Sequence, residues 1–233
     1  MTLNLVFKNV KIITDSGMKQ ADLGIAGGKI VKIGKVSEKV KREIDGSGKF
    51  LLPGVIDTHV HFRDPGYPEK GDFASESRAA AAGGVTTVLD MPNTNPQTVT
   101  VKALEEKRKS ASKKSLVNFG FYLGFTGDNF DEIERAKNIA GVKLFMAESN
   151  GSFAIKNQND IEKLLQMGLL TIVHAEDGSI IKKNEERLKD SNDPRIHSLI
   201  RDHKSAYEAT KRIIHLAKKH HAKVHITHLS TAV

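Results

Sequence analysis

From residue 53 onward the chain repeats one pattern, an apolar run of strand length followed by an amphipathic stretch of helical length. The expected pairs are strand 55–62 with helix 72–82, strand 86–91 with helix 100–113, and strand 116–125 with helix 131–139. Three more units follow: strand 142–146 with helix 158–167, strand 170–175 with helices 180–188 and 197–220, and a last strand 223–229. Strands joined through a helix run parallel, because a crossover of that length returns the chain to the same end of the sheet. Residues 53–233 are therefore expected to form an α/β fold of six β/α units, built on an open doubly wound sheet or a barrel. Residues 1–52 read differently. There 3–14 and 22–35 alternate apolar and polar side chains around Asp15-Ser16-Gly17 and Gly27-Gly28, which suggests short antiparallel strands in a small β domain.

The positions of the polar residues choose between the two sheets. His59, His61, Asn93, Lys143, His174 and His228 lie at or just beyond the carboxyl ends of different expected strands. A barrel gathers such residues over one mouth, whereas an open sheet leaves strands this far apart unable to share a site. The expectation is a TIM-like (β/α)8 barrel, incomplete in this chain, with a small N-terminal β domain. No glycine-rich phosphate loop follows the first strand, which counts against a nucleotide site.

Composition narrows the partners. With 233 residues, 39% hydrophobic and 27% charged, the chain has the balance of a soluble globular protein. No apolar run reaches the roughly 18 to 20 residues of a membrane span, and residues 1–13 lack the features of a secretory signal, so the expected location is the cytoplasm. The net charge of +8 is spread over segments such as 102–114, 182–189 and 218–223, which read as solvated helix faces. With 6% aromatic residues and no recognisable module, nucleic-acid binding is not expected. Zero cysteines exclude disulfides and thiolate ligands, so a metal here must be held by histidine, carboxylate or a modified side chain.

The chemistry concentrates in Pro53-Gly54-Val55-Ile56-Asp57-Thr58-His59-Val60-His61-Phe62-Arg63. Strand residues alternate faces, so His59 and His61 present two imidazoles to one cation and Arg63 extends the same row. A His-x-His pair alone serves as often for hydrogen bonding. Lys143, in the apolar strand Gly141-Val142-Lys143-Leu144-Phe145-Met146, shifts the balance. Burial favours its neutral amine, which can add carbon dioxide to become a carbamate whose two oxygens bridge two metals. A lone lysine there would more ordinarily pack its stem and reach its amine to water. His174 and His228 complete ligands on four strands; His225 faces away from His228 and reads as structural, and His197, His203, His215, His220 and His221 fall in helical segments.

From about residue 7 to its last residue the chain resembles the amidohydrolase superfamily and, within it, the type I dihydroorotases of the lysine-bearing group. The resemblance rests on His-x-His-x-Arg at 59–63, Met91-Pro92-Asn93-Thr94, the helix-to-strand block 79–87, Lys143 and the two later histidines. It implies two zinc ions, one held by His59, His61 and an aspartate and the other by His174 and His228, with carbon dioxide bound as the Lys143 carbamate between them. Arg63 and Asn93 are then substrate-binding residues for a carboxylate. The implied reaction is zinc-dependent, reversible cyclisation of N-carbamoyl-L-aspartate to L-dihydroorotate in pyrimidine synthesis. A hydantoinase or allantoinase is the alternative, sharing the metals without this carboxylate clamp. The family's catalytic aspartate comes from the last barrel strand and is expected beyond residue 233. The partners implied are the small-molecule substrate, a carboxyl-terminal fragment of the same enzyme, a second copy in a homodimer, and aspartate transcarbamoylase; a dihydroorotase-like scaffold without activity is the non-enzymatic alternative.

Overall fold

The computed structural model describes residues 2–149, 154–190 and 193–232. Two compact units divide the chain, Met1–Gly54 and Val55–Val233.

In the first unit, β1 (Leu5–Thr14), β2 (Gly17–Ala26) and β3 (Lys29–Gly34) form an antiparallel meander. Two further strands, β4 (Glu43–Asp45) and β5 (Phe50–Leu51), pair with β1 in parallel, so the sheet is mixed rather than purely antiparallel. Strands of three and two residues are too short to print an alternating pattern on the sequence. A bulge between Phe7 and Val10 puts Asn9 at φ 54, and the Asp22 carboxylate holds it there. Asp22 Oδ1 accepts the Asn9 N–H at 3.1 Å, while Oδ2 accepts the Val36 N–H and the Lys8 ammonium, both at 3.0 Å. These bonds, the one from Val36 foremost, hold the Asp22 carboxyl down at about 2.

The second unit contains β6 (Val55–Val60), β7 (Val85–Asp90), β8 (Asn118–Gly124), β9 (Gly141–Phe145), β10 (Thr171–His174) and β11 (Val224–Ile226). They form one six-stranded sheet, all parallel, in which spatial order follows chain order. Helices α1 (Phe73–Ala82), α2 (Val101–Lys114), α3 (Phe130–Arg135), α4 (Gln158–Gln166), α5 (Gly178–Leu188), α6 (Ile196–Ile200) and α7 (His203–His220) fill the crossovers. Asp72, Thr100, Asn157, Asp177 and Asp202 cap five of them through side-chain oxygens on otherwise orphan N–H groups. The core packs Val88, Phe121, Leu123, Leu144 and Val173 with Leu104, Ile161 and Ile213 of the helices.

The sheet is curled into a partial (β/α)8 barrel. Its first and last strands, β6 and β11, do not pair with each other, yet the rings of His59 and His228 at their carboxyl ends lie 5.5 Å apart. The β6 edge is open, with Val55 and Ile56 exposed.

Three elements depart from the sequence reading. The single helix expected over 197–220 is broken into α6 and α7, because Asp202 turns out of helical geometry and caps Ser205 N–H at 2.9 Å. Helix α3 stops at Arg135 rather than 139, and β11 ends at Ile226, so His228 stands on the turn beyond it at φ 39. Lys107, within a basic run read as a solvated helix face, is buried at 1% exposure.

The Asp22 carboxyl is held below its ordinary value, so its stabilising contribution is complete above about pH 4 and disappears as pH falls through about 2. The contribution at neutral pH is about 2 kcal/mol. Acid titration followed by circular dichroism is expected to show Asp22→Asn less stable than wild type at pH 6, with the difference shrinking as pH falls and vanishing below the folded-state pKa of about 2.

Candidate metal centre

The curl of the sheet assembles the site. His59 is the penultimate residue of β6 and His61 follows the strand by one; their Nε2 atoms are 3.2 Å apart. His174 ends β10, and its Nδ1 lies 3.0 Å from Nε2 of His228. The rings of His59 and His61 have centroids 5.2 Å apart, and those of His174 and His228 4.8 Å. Two imidazole pairs, one from the edge strand β6 and one from β10 and the segment after β11, thus meet over the carboxyl ends of the strands.

Lys143 lies in β9, where every residue is buried, and is itself 1% exposed. Its Nζ reaches Thr227 Oγ1 at 3.4 Å, and that hydroxyl donates to Val173 O at 2.9 Å. The ring of Phe145 lies 5.0 Å from the amine. Burial pushes the Lys143 amine down to about 7, so a large share of it is unprotonated at neutral pH. Burial likewise pushes His59 to about 3, with further repulsion from Lys143 and the other imidazoles. His61 falls to about 4 through burial and Arg63, against an opposing hydrogen bond with Asn93, and burial lowers His228 as well.

The donor set suits metal ions. The lowered values of His59, His61 and His228 favour neutral imidazole, a common ligand for borderline cations. Among the described residues no group of three or more His, Asp or Glu side chains stands ready to hold an ion. The donors come in pairs, with the Lys143 amine as the remaining basic nitrogen.

Arg63 and Asn93 lie beside the first pair. Arg63 is held at φ 63, and its Nη1 donates to Asn93 O at 3.4 Å. Asn93 is 4% exposed. The two loops that carry them interlock: Asn95 N–H donates to Pro65 O at 3.0 Å, and a Cβ on Gly66, itself at φ 105, would fall 2.2 Å from Asn95 O. Only glycine fits that crossing.

Sequence reasoning passed over Glu176 and Arg201. Glu176 Oε2 sits 2.5 Å from His174 Nε2 and also pairs with Arg201, whose Nη2 donates to Glu148 O at 2.6 Å. Burial pulls the Glu176 carboxyl upward, but His174 and Arg201 outweigh it and hold it below the usual range. A carboxylate on Nε2 fixes the proton there and leaves Nδ1 as the lone pair facing His228. The signal was present, since Glu176 is two residues beyond His174.

A parallel barrel-type sheet that gathers histidines and a buried lysine over its strand ends defines a class of barrel hydrolases. Residues 50–232 match the amidohydrolase family, and the chain belongs to that family. It is 37% identical over 231 residues to a dihydroorotase from Methanosarcina acetivorans, covering 96% of this chain and 50% of the relative. An allantoinase from Desulfitobacterium hafniense is 33% identical over 245 residues, covering 98% of this chain and 54% of the relative. Among solved structures, an L-hydantoinase (dihydropyrimidinase) from Arthrobacter aurescens superposes with TM-score 0.91 at 31% identity, covering 98% of this chain and 53% of that one. The chain spans about half the length of the curated relatives it matches. Among the described residues no helix is long and apolar enough to cross a membrane.

The Glu176 contact predicts that nitrogen-15 NMR of the metal-free protein finds His174 protonated on Nε2. Glu176→Gln should convert it to a mixture of tautomers while the fold, read from the amide spectrum, stays intact.

Proposed function

We propose that the protein is a dihydroorotase, interconverting N-carbamoyl-L-aspartate and L-dihydroorotate. The observation that carries this reading is the Arg63 guanidinium and the buried Asn93 standing together beside the His59/His61 pair. Dihydroorotate bears a carboxylate on the ring carbon that is joined through the ring methylene to the carbonyl that reacts. A guanidinium offers that carboxylate two parallel N–H donors and an asparagine amide offers a neutral one, which fixes the substrate with its carbonyl over the histidines. The similarity to the Methanosarcina acetivorans dihydroorotase supports the same reading.

His59 and His61 on one side and His174 and His228 on the other would hold two zinc ions, with Lys143 between them. When bound, the metals supply Lewis acidity for the amide carbonyl and a water acidic enough to attack it at neutral pH. Lys143 serves as its carbamate: the neutral amine forms an N–C bond to carbon dioxide and loses a proton, which replaces a buried amine by a carboxylate-like group. Glu176 keeps His174 in the tautomer that turns Nδ1 inward. In the hydrolytic direction the ring C–N bond breaks, water adds to the carbonyl carbon, and the departing nitrogen takes a proton from an aspartate of the polypeptide that completes the barrel. That polypeptide would also cover the open β6 edge. A cytoplasmic place in pyrimidine synthesis follows from this reaction.

The second reading is a hydantoinase or allantoinase, favoured by the hydantoinase structure and the allantoinase similarity. Steady-state assays of the full-length, zinc-loaded protein with dihydroorotate, hydantoin and allantoin separate the two. Turnover of dihydroorotate is expected, with Arg63→Ala and Asn93→Ala each weakening substrate binding by about 1.5 to 3 kcal/mol while zinc content holds. Turnover of hydantoin or allantoin, unaffected by either substitution and without dihydroorotate activity, moves the protein to the second reading.

A further inference from the structure

Asp90 and Lys107 form an ion pair almost fully removed from water, with side chains 0% and 1% exposed and Lys107 Nζ 2.7 Å from Asp90 Oδ2. Such a pair contributes little net stability, because desolvating two charges offsets most of their attraction. Its other bonds are more informative than its charge. Asp90 Oδ1 accepts the N–H of Phe62 at 2.9 Å, and Phe62 is the residue between His61 and Arg63. Lys107 Nζ donates to the carbonyl of Met91 at 2.8 Å, two residues before Asn93. The remaining hydrogen-bonding capacity of both charges is thus directed at the backbones of the two loops that carry His61, Arg63 and Asn93. The Phe62 ring is packed against Phe73 at 5.8 Å between centroids, and Phe73 against Phe121 at 5.9 Å, beneath the Lys107 ammonium. Arg63, at φ 63, needs its neighbours held firmly to keep that backbone conformation.

We propose that Asp90 and Lys107 are positioning residues, a brace that fixes the Phe62 backbone, and with it His61 and Arg63, in register with the Met91–Asn93 turn. Its functional consequence rests on the reading of Arg63 and Asn93 as the substrate clamp; the brace itself does not. Neither residue touches substrate or metal. They act through the backbone, by setting the separation between the guanidinium and the asparagine amide.

Hydrogen exchange of the full-length protein, resolved at the Phe62 amide, tests the brace directly. In wild type this amide is expected to exchange as slowly as those of the central strand β9; fast exchange there overturns the proposal without any variant. Asp90→Leu with Lys107→Met removes both charges together and leaves neither unpaired. It should keep the melting temperature near wild type, speed Phe62 exchange at least tenfold, and weaken L-dihydroorotate binding at least tenfold with little change in kcat. Asp90→Asn with Lys107→Met keeps an oxygen facing the Phe62 N–H and should restore most of the protection and affinity. Unchanged Phe62 exchange in a folded Leu/Met protein overturns the brace, as does equal loss in both variants, which is the mark of packing alone. If wild type binds no dihydroorotate but Phe62 exchange responds as expected, the brace stands and the substrate assignment falls.

Discussion

A lysine amine buried in the middle of a parallel sheet is the constraint on which the second unit depends. Among the described residues the Lys143 amine has one hydrogen bond, a long one to Thr227. A protonated amine in that position carries a desolvation cost that a hydroxyl at 3.4 Å offsets only slightly. The surroundings respond by being basic and neutral at once: the imidazoles of His59, His61 and His228 converge on the same space with their pKa values lowered, which favours their uncharged forms. Such an arrangement is poor as a store of folding energy and well suited to a cation. The histidines arrive because the sheet curls, bringing together the ends of strands that share no hydrogen bonds.

Around that centre the structure places its polar groups in layers. Glu176 and Arg201 hold one imidazole from behind, and the interlocked loops at Gly66 and Asn95 hold Arg63 against Asn93. The Asp90–Lys107 pair lies beneath both loops and reaches them only through backbone atoms. Arg63 and His228 both stand on left-handed backbone, at φ 63 and φ 39, a conformation that residues other than glycine seldom adopt.

Much of this was legible in the sequence. Alternating strand and helix units announced the parallel sheet, and a lysine or histidine in an otherwise apolar strand is conspicuous because burial there is costly. Position at strand ends then tied His59, His61, His174 and His228 to one mouth, whereas Lys143, read with them as a strand-end residue, is the middle residue of β9. What escaped notice has physical causes. Lys107 sits among nine other charged or polar side chains of α2 at helical spacing, and its burial depends on Asp90, which is seventeen residues away in sequence and adjacent only in the fold. The break between α6 and α7 turns on one capping aspartate within a continuously amphipathic stretch. The short strands β4 and β5 exist through pairing with β1, a tertiary effect with no local pattern. His228 was placed on a strand face, whereas a turn aims it.

The central claim is that these strand-end groups form one binuclear centre with Lys143 between the ions. Diffraction at the zinc absorption edge, from crystals of the full-length protein grown with zinc and bicarbonate, tests it most directly. The account predicts two anomalous peaks, one beside His59 and His61 and one beside His174 and His228, with carboxylate-shaped density on the Lys143 nitrogen. Zinc bound elsewhere, or an unmodified Lys143 amine with no peak at the four histidines, would contradict it.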